Sequence, residues 1–542
     1  MEIACIQSDL NVIQKEQWMR PLFSTLLAGA AALLLAIAPA QAQGTLRVAI
    51  TASDVPTTTG VPTQGLEAWS YAGYPIFEPL VMWDLRVTDT PPPVIPWLAT
   101  EWNVDAEDHT KWVFKLRDGV TFHDGSPFNA DAVVWNLDRF YKEDAPQFEA
   151  STSASTKGRV PVLKSYEKID DSTVAIYTTV PVTYFPEVMT SILFVSPAKW
   201  EEVGSWEAFA SQPSGTGAFT LAAVDRTSLT LARNPDYWNA ERAAKLDSVV
   251  VYPMAEATTR LAALRSGQVD WINVPPPDGI PSLRDAGFVV STSPMPHVWP
   301  YWLQTKEGSV FHDVKVRQAF NYALDREGLV TLLNGAAEPA KGFWKPGDPR
   351  FGTPENDYTY DPEKSRALLT EAGFGPDEMV PVKILISTSG SGQMVPLPMN
   401  ELLQQSARAA GFELEFSVVD WGQMSAIRSN PDSPEMQGVV AVNSSFTTAD
   451  LTWFFYSFYP TNWPNFDHPE TTAMMDEYRT DFDLTADERV ALMAKIHANL
   501  VDQAPWAWIV HDVNPKAFAQ SVKGYTPAQA WYTDLTTVYM EP

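Results

Sequence analysis

Two hydrophobic periods alternate along most of this chain, and that exchange limits the folds open to it. "TLRVAI" (45–50) is a short apolar strand and "STVAIYTT" (172–179) alternates with period two. "LDSVVVYPM" (246–254) is a continuous apolar run of the kind buried in a sheet. Helical stretches are interspersed with these. "EATTRLAALRSG" (256–267) has Leu261 and Leu264 at helical spacing, with Gly267 placed to stop it. "DVKVRQAFNYALDREGLVTLL" (313–333) reads as one helix. "DPEKSRALLTEAGF" (361–374) reads as another, capped by Asp361, with Pro362 in its first turn and Gly373 at its end. Strands and helices mixed in this order predict an α/β protein. The 44 prolines are spread evenly and no low-complexity linker, heptad run or short repeat interrupts them, so the length of 542 residues implies about three domains or one large two-lobed body with an insertion.

The stretch "KLRDGVTFHDGSPFNADAVVWNLDRF" (115–140) contains a His-Asp pair that invites a catalytic or metal-binding reading. Its pattern gives each residue a folding role instead. Val113 and Lys115 alternate with Trp112 and Phe114 as in a hairpin, Asp118-Gly119 and Asp124-Gly125 supply tight turns, and Asn129 caps a helix whose buried stripe is Val133, Val134, Leu137 and Phe140. We read this stretch as scaffold, with His123 a hydrogen-bonded structural residue.

The N-terminus bears on location. From Met19 the chain places Arg20, an apolar run from Leu26 to Ala38, and small residues at Ala40 and Ala42, the order of a secretory signal peptide with cleavage expected after Ala42. The run is too short for the roughly 20 residues that cross a bilayer. Residues 1–18 read as an upstream extension, and they hold the only cysteine, Cys5. The exported part therefore has no disulfide and no lipid-bearing cysteine, and is expected to be soluble, periplasmic and monomeric. A formal net charge of −28 argues against nucleic acid or an anionic membrane as partner.

"LATEWNVDAEDHTKWVFKLRDGVTFHDGSPFNADAVVWNLDRF" (98–140) closely resembles the signature region of the family-5 bacterial extracellular solute-binding proteins, the dipeptide, oligopeptide and nickel type that feed ABC importers. The resemblance continues in "SGTGAFTL" (214–221), "RNPDYWNAERAAKLDSVVVYPMAEATTRLAALRSGQVDWI" (233–272), "VRQAFNYALDREGLV" (316–330), "YDPEKSRALLTEAGF" (360–374) and "VKGYTP" (522–527), in the family's order. It implies a two-lobed periplasmic binding protein fold of type II, in the large three-subdomain form, with mixed sheets and a ligand cleft between the lobes. Lobe one would comprise residues 43–76, 210–300 and 505–542, an extra subdomain 77–209, and lobe two 301–504. The chain would cross between lobes near "HVWPYWLQT" (297–305) and "APWAWIVHD" (504–512), where Trp299, Trp302 and Trp508 are candidates for the cleft lining.

In the peptide-binding members a Trp after an acidic residue starts a helix facing the cleft. Here "DWGQMSAIRS" (420–429) puts Trp421, Ser425 and Arg428 on one helical face, an aromatic plane beside a guanidinium that can pair with a carboxylate. Those members also carry a Trp-x-Ala-Asp-Tyr run whose Asp anchors the peptide's α-ammonium. If "DLTWFF" matches the segment after that run, Thr447 stands at the place of the Asp and Ser444 at that of the Trp, within "NSSFTTADLTWFF" (443–455). A hydroxyl cannot give a buried ammonium its charge-assisted bond, so a free dipeptide is a less favoured ligand than an opine-like or other conjugate. Ser445, Phe446 and Asp450 complete the candidate set, although Asp450 also suits a helix cap.

Two other readings stay open. An exported hydrolase is disfavoured by the lack of "HExxH" and "GxSxG", and "GTGAFT" (215–220) fails the dinucleotide fingerprint because Thr220 stands where the last glycine belongs. Carboxylate pairs are not excluded by spacing. A metal-chelate or haem carrier of the same fold is the other, although the seven histidines show no ligand spacing; His297 and His511 lie at the expected crossings. No cofactor and no metal ligand is expected, and the partner implied by the resemblance is an ABC permease.

Overall fold

A computed structural model describes residues 44–542 apart from 64, 294, 296, 389–393, 429, 431 and 448–450. The expected signal peptide and Asp450 lie outside the described residues. None of the described helices is long and apolar enough to cross a membrane.

Three sheets organise the chain. The first is seven-stranded, in the order 289–291, 516–518, 271–273, 45–50, 248–253, 229–233, 219–224. Its central strand Thr45–Ile50 runs parallel to Ser248–Pro253 and Trp271–Asn273, as buried apolar runs favour. The second sheet orders 337–339, 506–512, 297–303, 441–443, 380–387, 412–419, with Phe446–Thr447 added against His297 and Val298. Here Val380–Ser387 is parallel to both Phe412–Val419 and Ala441–Asn443. The third is a four-stranded antiparallel sheet, 99–104, 111–116, 173–178, 163–170. Mixed sheets with helices between them are the α/β architecture that the two periods predict.

Local chemistry explains most boundaries. Trp112, Phe114 and Leu116 are buried while Lys115 is exposed, as the alternation requires. The hairpin partner of this strand is the preceding Ala99–Val104, not the segment beyond Gly119; Val120 and Phe122 leave the sheet and a turn at Gly125 bridges Thr121 to Pro127. Asn129 caps Ala130–Tyr141 by accepting from the Ala132 amide. The imidazole of His123 lies 2.9 Å from the Gly217 carbonyl through Nε2 and accepts from the Gly215 amide, so it staples two loops. The expected helix over 313–333 is two helices, Val314–Tyr322 and Arg326–Leu332. Asp325 divides them, because its carboxylate accepts from the Gly328 amide and starts a new helix in place of continuing the old one.

Apolar packing ties these units together. One buried cluster runs from Phe114, Leu137 and Phe185 beside the third sheet, through Phe454 on the helix Leu451–Ser457, to Trp302 and Trp506 of the second. The other face of the second sheet packs Trp299, Tyr301 and Phe320. Between the first and third sheets, the buried carboxylate of Glu78 accepts from Trp97, Thr216, Tyr237 and Trp238 at 2.5 to 2.7 Å. Burial raises its pKa, and the four donors oppose that shift without cancelling it.

Candidate functional site

Strand direction decides where a site can form. In the first sheet the parallel strands end at Ile50, Pro253 and Asn273, and the antiparallel strand pairing with Trp271–Asn273 begins at Lys516 on the same edge. In the second the parallel strands end at Ser387, Val419 and Asn443, and on that edge His297 begins its strand and Asp512 ends its own. Only residues 292–296 and 513–515 separate the two edges, and they are laced by Ser293 N–H to the Val513 carbonyl and Val274 N–H to the Pro515 carbonyl. The carboxyl ends of the parallel strands of both sheets therefore meet along one seam, the place where open α/β sheets bind ligands.

The second-sheet side of the seam carries a stacked cation. The helix Trp421–Arg428 follows the strand Phe412–Val419, and Asp420 starts it by accepting from the Gln423 amide at 2.9 Å. At its far end the Arg428 guanidinium lies 4.4 Å from the centre of the Trp302 ring and donates to Ser444 Oγ at 2.8 Å. Trp302 Nε1 donates to the Ser444 carbonyl, and the ring stacks on Trp506 at 5.0 Å and 9°. Trp506 in turn meets Trp508 at 5.4 Å. A planar cation held on an aromatic face and tied to a hydroxyl is preorganised for a carboxylate or another planar acceptor.

The first-sheet side is a polar network. Glu67, 3% exposed, accepts from the Thr51 amide and hydroxyl and from Asn273 Nδ2. Tyr71 and Trp271 donate to Asn273 Oδ1. Lys516 Nζ donates to Asn514 Oδ1 at 3.1 Å, and burial pulls its pKa down to about 8 against Glu67 and Asp512. Asp512 moves the opposite way, pushed up to about 6 by burial despite the Asn514 amide on its Oδ1. His297 and His511 are both held down to about 3 by burial. His297 Nδ1 and Asp512 Oδ2 are 3.9 Å apart, and because that imidazole is neutral at ordinary pH the contact is not an ion pair.

The structure brings Trp302, Arg428 and Ser444 together, with Trp508 two residues along the strand from Trp506 in the same cluster. Ser445 is half-buried next to Ser444. Trp299 is fully buried on the opposite face of the second sheet, among Tyr301 and Phe320, away from Arg428. Trp421 packs at the edge of a smaller cluster of Leu385, Met424, Met436, Val439 and Val442. The backbone of Phe446 and Thr447 pairs with Val298 and His297; their side chains and that of Ser425 lie outside what is described. Sequence reasoning missed Glu67, Asp512 and Lys516. Their signal is a charge inside an apolar run, as in "GLEAWSYAG" and "WAWIVHD". Among the described residues no group of three or more His, Cys, Asp or Glu could hold a metal ion. An open groove of ≈ 630 Å³ beside Gln304, Thr305, Trp463 and Asp467 lies at the other end of the His297–Leu303 strand and contains none of the seam residues.

Known proteins place the fold. Over 92% of this chain and 99% of theirs, the structure matches the ABC transporter-associated periplasmic binding protein DppA from Helicobacter pylori, solved in complex with peptide STSA, with a TM-score of 0.77 and 22% identity. This is the two-lobed type II binding-protein fold. Haem-binding protein A of Haemophilus influenzae is 26% identical over 87% of this chain and 88% of its own length. The dipeptide-binding protein of Escherichia coli is 25% identical over 83% and 86%. Residues 93–466, more than half of the chain, match the model of the middle region of the bacterial extracellular solute-binding proteins, family 5. With strand order, seam and match in agreement, this chain belongs to the family-5 bacterial extracellular solute-binding proteins.

Proposed function

We propose that this protein captures a small solute in the seam between its two large sheets, leaves it unaltered, and presents it in the periplasm to the permease of an ABC importer. Each large sheet is read as the centre of one lobe, and the expected bounds (lobe one 43–76, 210–300 and 505–542, lobe two 301–504, extra subdomain 77–209) then shift at both crossings, because the strands His297–Leu303 and Trp506–Asp512 pair within the second sheet and go with lobe two. The observation that carries the reading is the Arg428–Trp302–Ser444 constellation at the carboxyl edge of one sheet, opposite the Glu67–Asn273 network of the other. Trp421, Ser425, Ser445, Phe446, Thr447, Asp450, Trp299 and Trp508 are the remaining contact candidates. Relatives named for haem and for dipeptides support a cleft adaptable in cargo. With Thr447 at the place of the anchoring carboxylate, the cargo is peptide-like, opine-like or another conjugate rather than a plain dipeptide.

Titration calorimetry against di- and tripeptides, opines and glutathione tests this. Binding of a conjugate, with the solute recovered intact after long incubation, is the expected result. Nanomolar binding of several plain dipeptides would overturn the reading of Thr447, and a new product in the incubation would replace carriage with catalysis.

A further inference from the structure

We propose that His297, His511 and Asp512, beside the ring of Trp531, form a subsite in the seam that takes a protonated amine of the bound solute. This rests on the carrier reading above and specifies one end of its cargo. The three side chains are 2% exposed or less, yet His297 Nδ1 and Asp512 Oδ2 have no hydrogen-bond partner among the described residues, and the buried ring of His511 has only a weak polar contact with the His297 backbone. Buried polar atoms left so are costly unless a donor reaches them. His297 Nδ1 and Asp512 Oδ2 stand 3.9 Å apart, too far to bond each other, and one donor about 2.8 Å from each would bridge them. Trp531 meets the His297 ring edge to face at 5.0 Å and 84°.

The class of ligand follows from what the group offers. Two imidazoles kept neutral by burial each present an acceptor nitrogen, and the carboxylate presents an oxygen. The surrounding charges are engaged: Lys516 with Asn514, Glu67 with Thr51 and Asn273, Lys345 with Glu338 at 2.5 Å, and His497 with the Trp344 amide and the Phe351 carbonyl. A buried carboxylate beside the two rings repels an anion, whereas an ammonium has N–H groups to match the Asp512 oxygen and an imidazole acceptor. The three residues are not arranged to close around a metal ion. Strand register adds a geometric point. His297 pairs with Thr447 on one side, and on the other Val298 pairs with His511, which sets Asp512 beside His297. The carboxylate thus stands in the same row as Thr447, two strand spacings or about 10 Å away.

The test needs no knowledge of the natural cargo. In the full-length exported protein with ¹⁵N-labelled histidine, methylammonium chloride is expected to shift two imidazole resonances saturably. Tetramethylammonium chloride, which has no N–H, is expected not to. The apparent affinity should fall at least tenfold in Asp512→Asn, and should be weaker at pH 5 than at pH 7.5 as the carboxylate takes up a proton. No difference between the two cations in the unsubstituted protein would overturn the proposal without recourse to a variant, and so would an equal response of Asp512→Asn. A protein that answers methylammonium but binds no solute of the panel keeps the subsite and loses the carrier reading. The reverse result removes the subsite alone.

Discussion

Arg428 is fixed by neighbours that its own helix does not supply. Trp302 lies on another strand and Ser444 follows a third, so the sequence could place Arg428 on a face with Trp421 and Ser425 but not on the ring it covers. The same holds for Asp512 and His297, which meet only because two strands pair. Truncating Arg428 to Ala is expected to lower affinity for the solute found by calorimetry at least tenfold, since cation–π and charge-assisted contacts in a desolvated site are each on the order of 1 to 2 kcal/mol. Arg428→Lys should fall between, keeping charge but losing the planar stack. Protonation gives a second residue-scale prediction. His297 and His511 are depressed to about 3 and His497 to about 4, against 6.5 when exposed. The folded form therefore binds fewer protons than the unfolded chain, and the stability these groups contribute is complete above pH 6.5 and is lost as pH falls towards 4. Asp512, raised to about 6, has the opposite sign: its contribution is present below 3.8 and is lost as pH rises through 6. Three groups outweigh one, at about 1.4 kcal/mol per pH unit for each imidazole. Melting temperatures measured from pH 7.5 down to 4.5 should fall steadily, and a flat profile would show that the imidazoles open to solvent before the fold does.

Elements were legible wherever the signal was local. Caps at Asn129 and Asp361, stops at Gly267 and Gly373, and the strands 45–50, 173–178 and 248–253 all stand where periodicity and turn chemistry put them. The failures came from competition between local and longer-range partners. The strand at Lys111–Leu116 chose the segment before it, and Asp325 interrupted an apolar period that is otherwise continuous. Gly215 and Gly217 show a third kind of limit. In the sequence they form an incomplete dinucleotide fingerprint. In the fold a Cβ on Gly217 would lie 2.3 Å from the Pro75 carbonyl oxygen, and one on Gly215 2.1 Å from that of Ile76. These glycines let two backbone segments touch, with the Gly217 amide donating to Ile76 at 3.0 Å. Gly217→Ala is expected to cost on the order of 3 kcal/mol, seen as a lower urea midpoint at unchanged slope. An unshifted midpoint would mean that the two segments separate at no cost.

At the scale of the whole molecule, capture requires that the halves part and rejoin, and part of what resists parting is a set of contacts between the segment of the four-stranded sheet and the helices that follow the second large sheet. Thr183 donates its hydroxyl to the Tyr478 carbonyl and its amide to the Arg479 carbonyl, and it accepts from Arg489 at 3.0 Å. Tyr184 stacks on Phe455 at 5.1 Å and 15°. Both residues belong to the segment carrying the four-stranded sheet, whereas their partners follow the strands of the second large sheet. Because a solute that prefers the closed form must supply the free energy of closing, weakening these contacts lowers its affinity although none of them touches it. The double substitution Thr183→Ala, Tyr184→Ala is expected to enlarge the radius of gyration of the solute-free protein in X-ray scattering. Excess solute should restore the compact value, and affinity should fall by about tenfold for each 1.4 kcal/mol removed from the closed form. Faster dissociation with little change in association rate should carry most of that loss. If scattering and affinity both stayed at their original values, the two halves would behave as one rigid body with no entrance for cargo, and the constellation around Arg428 would have to be explained as packing alone.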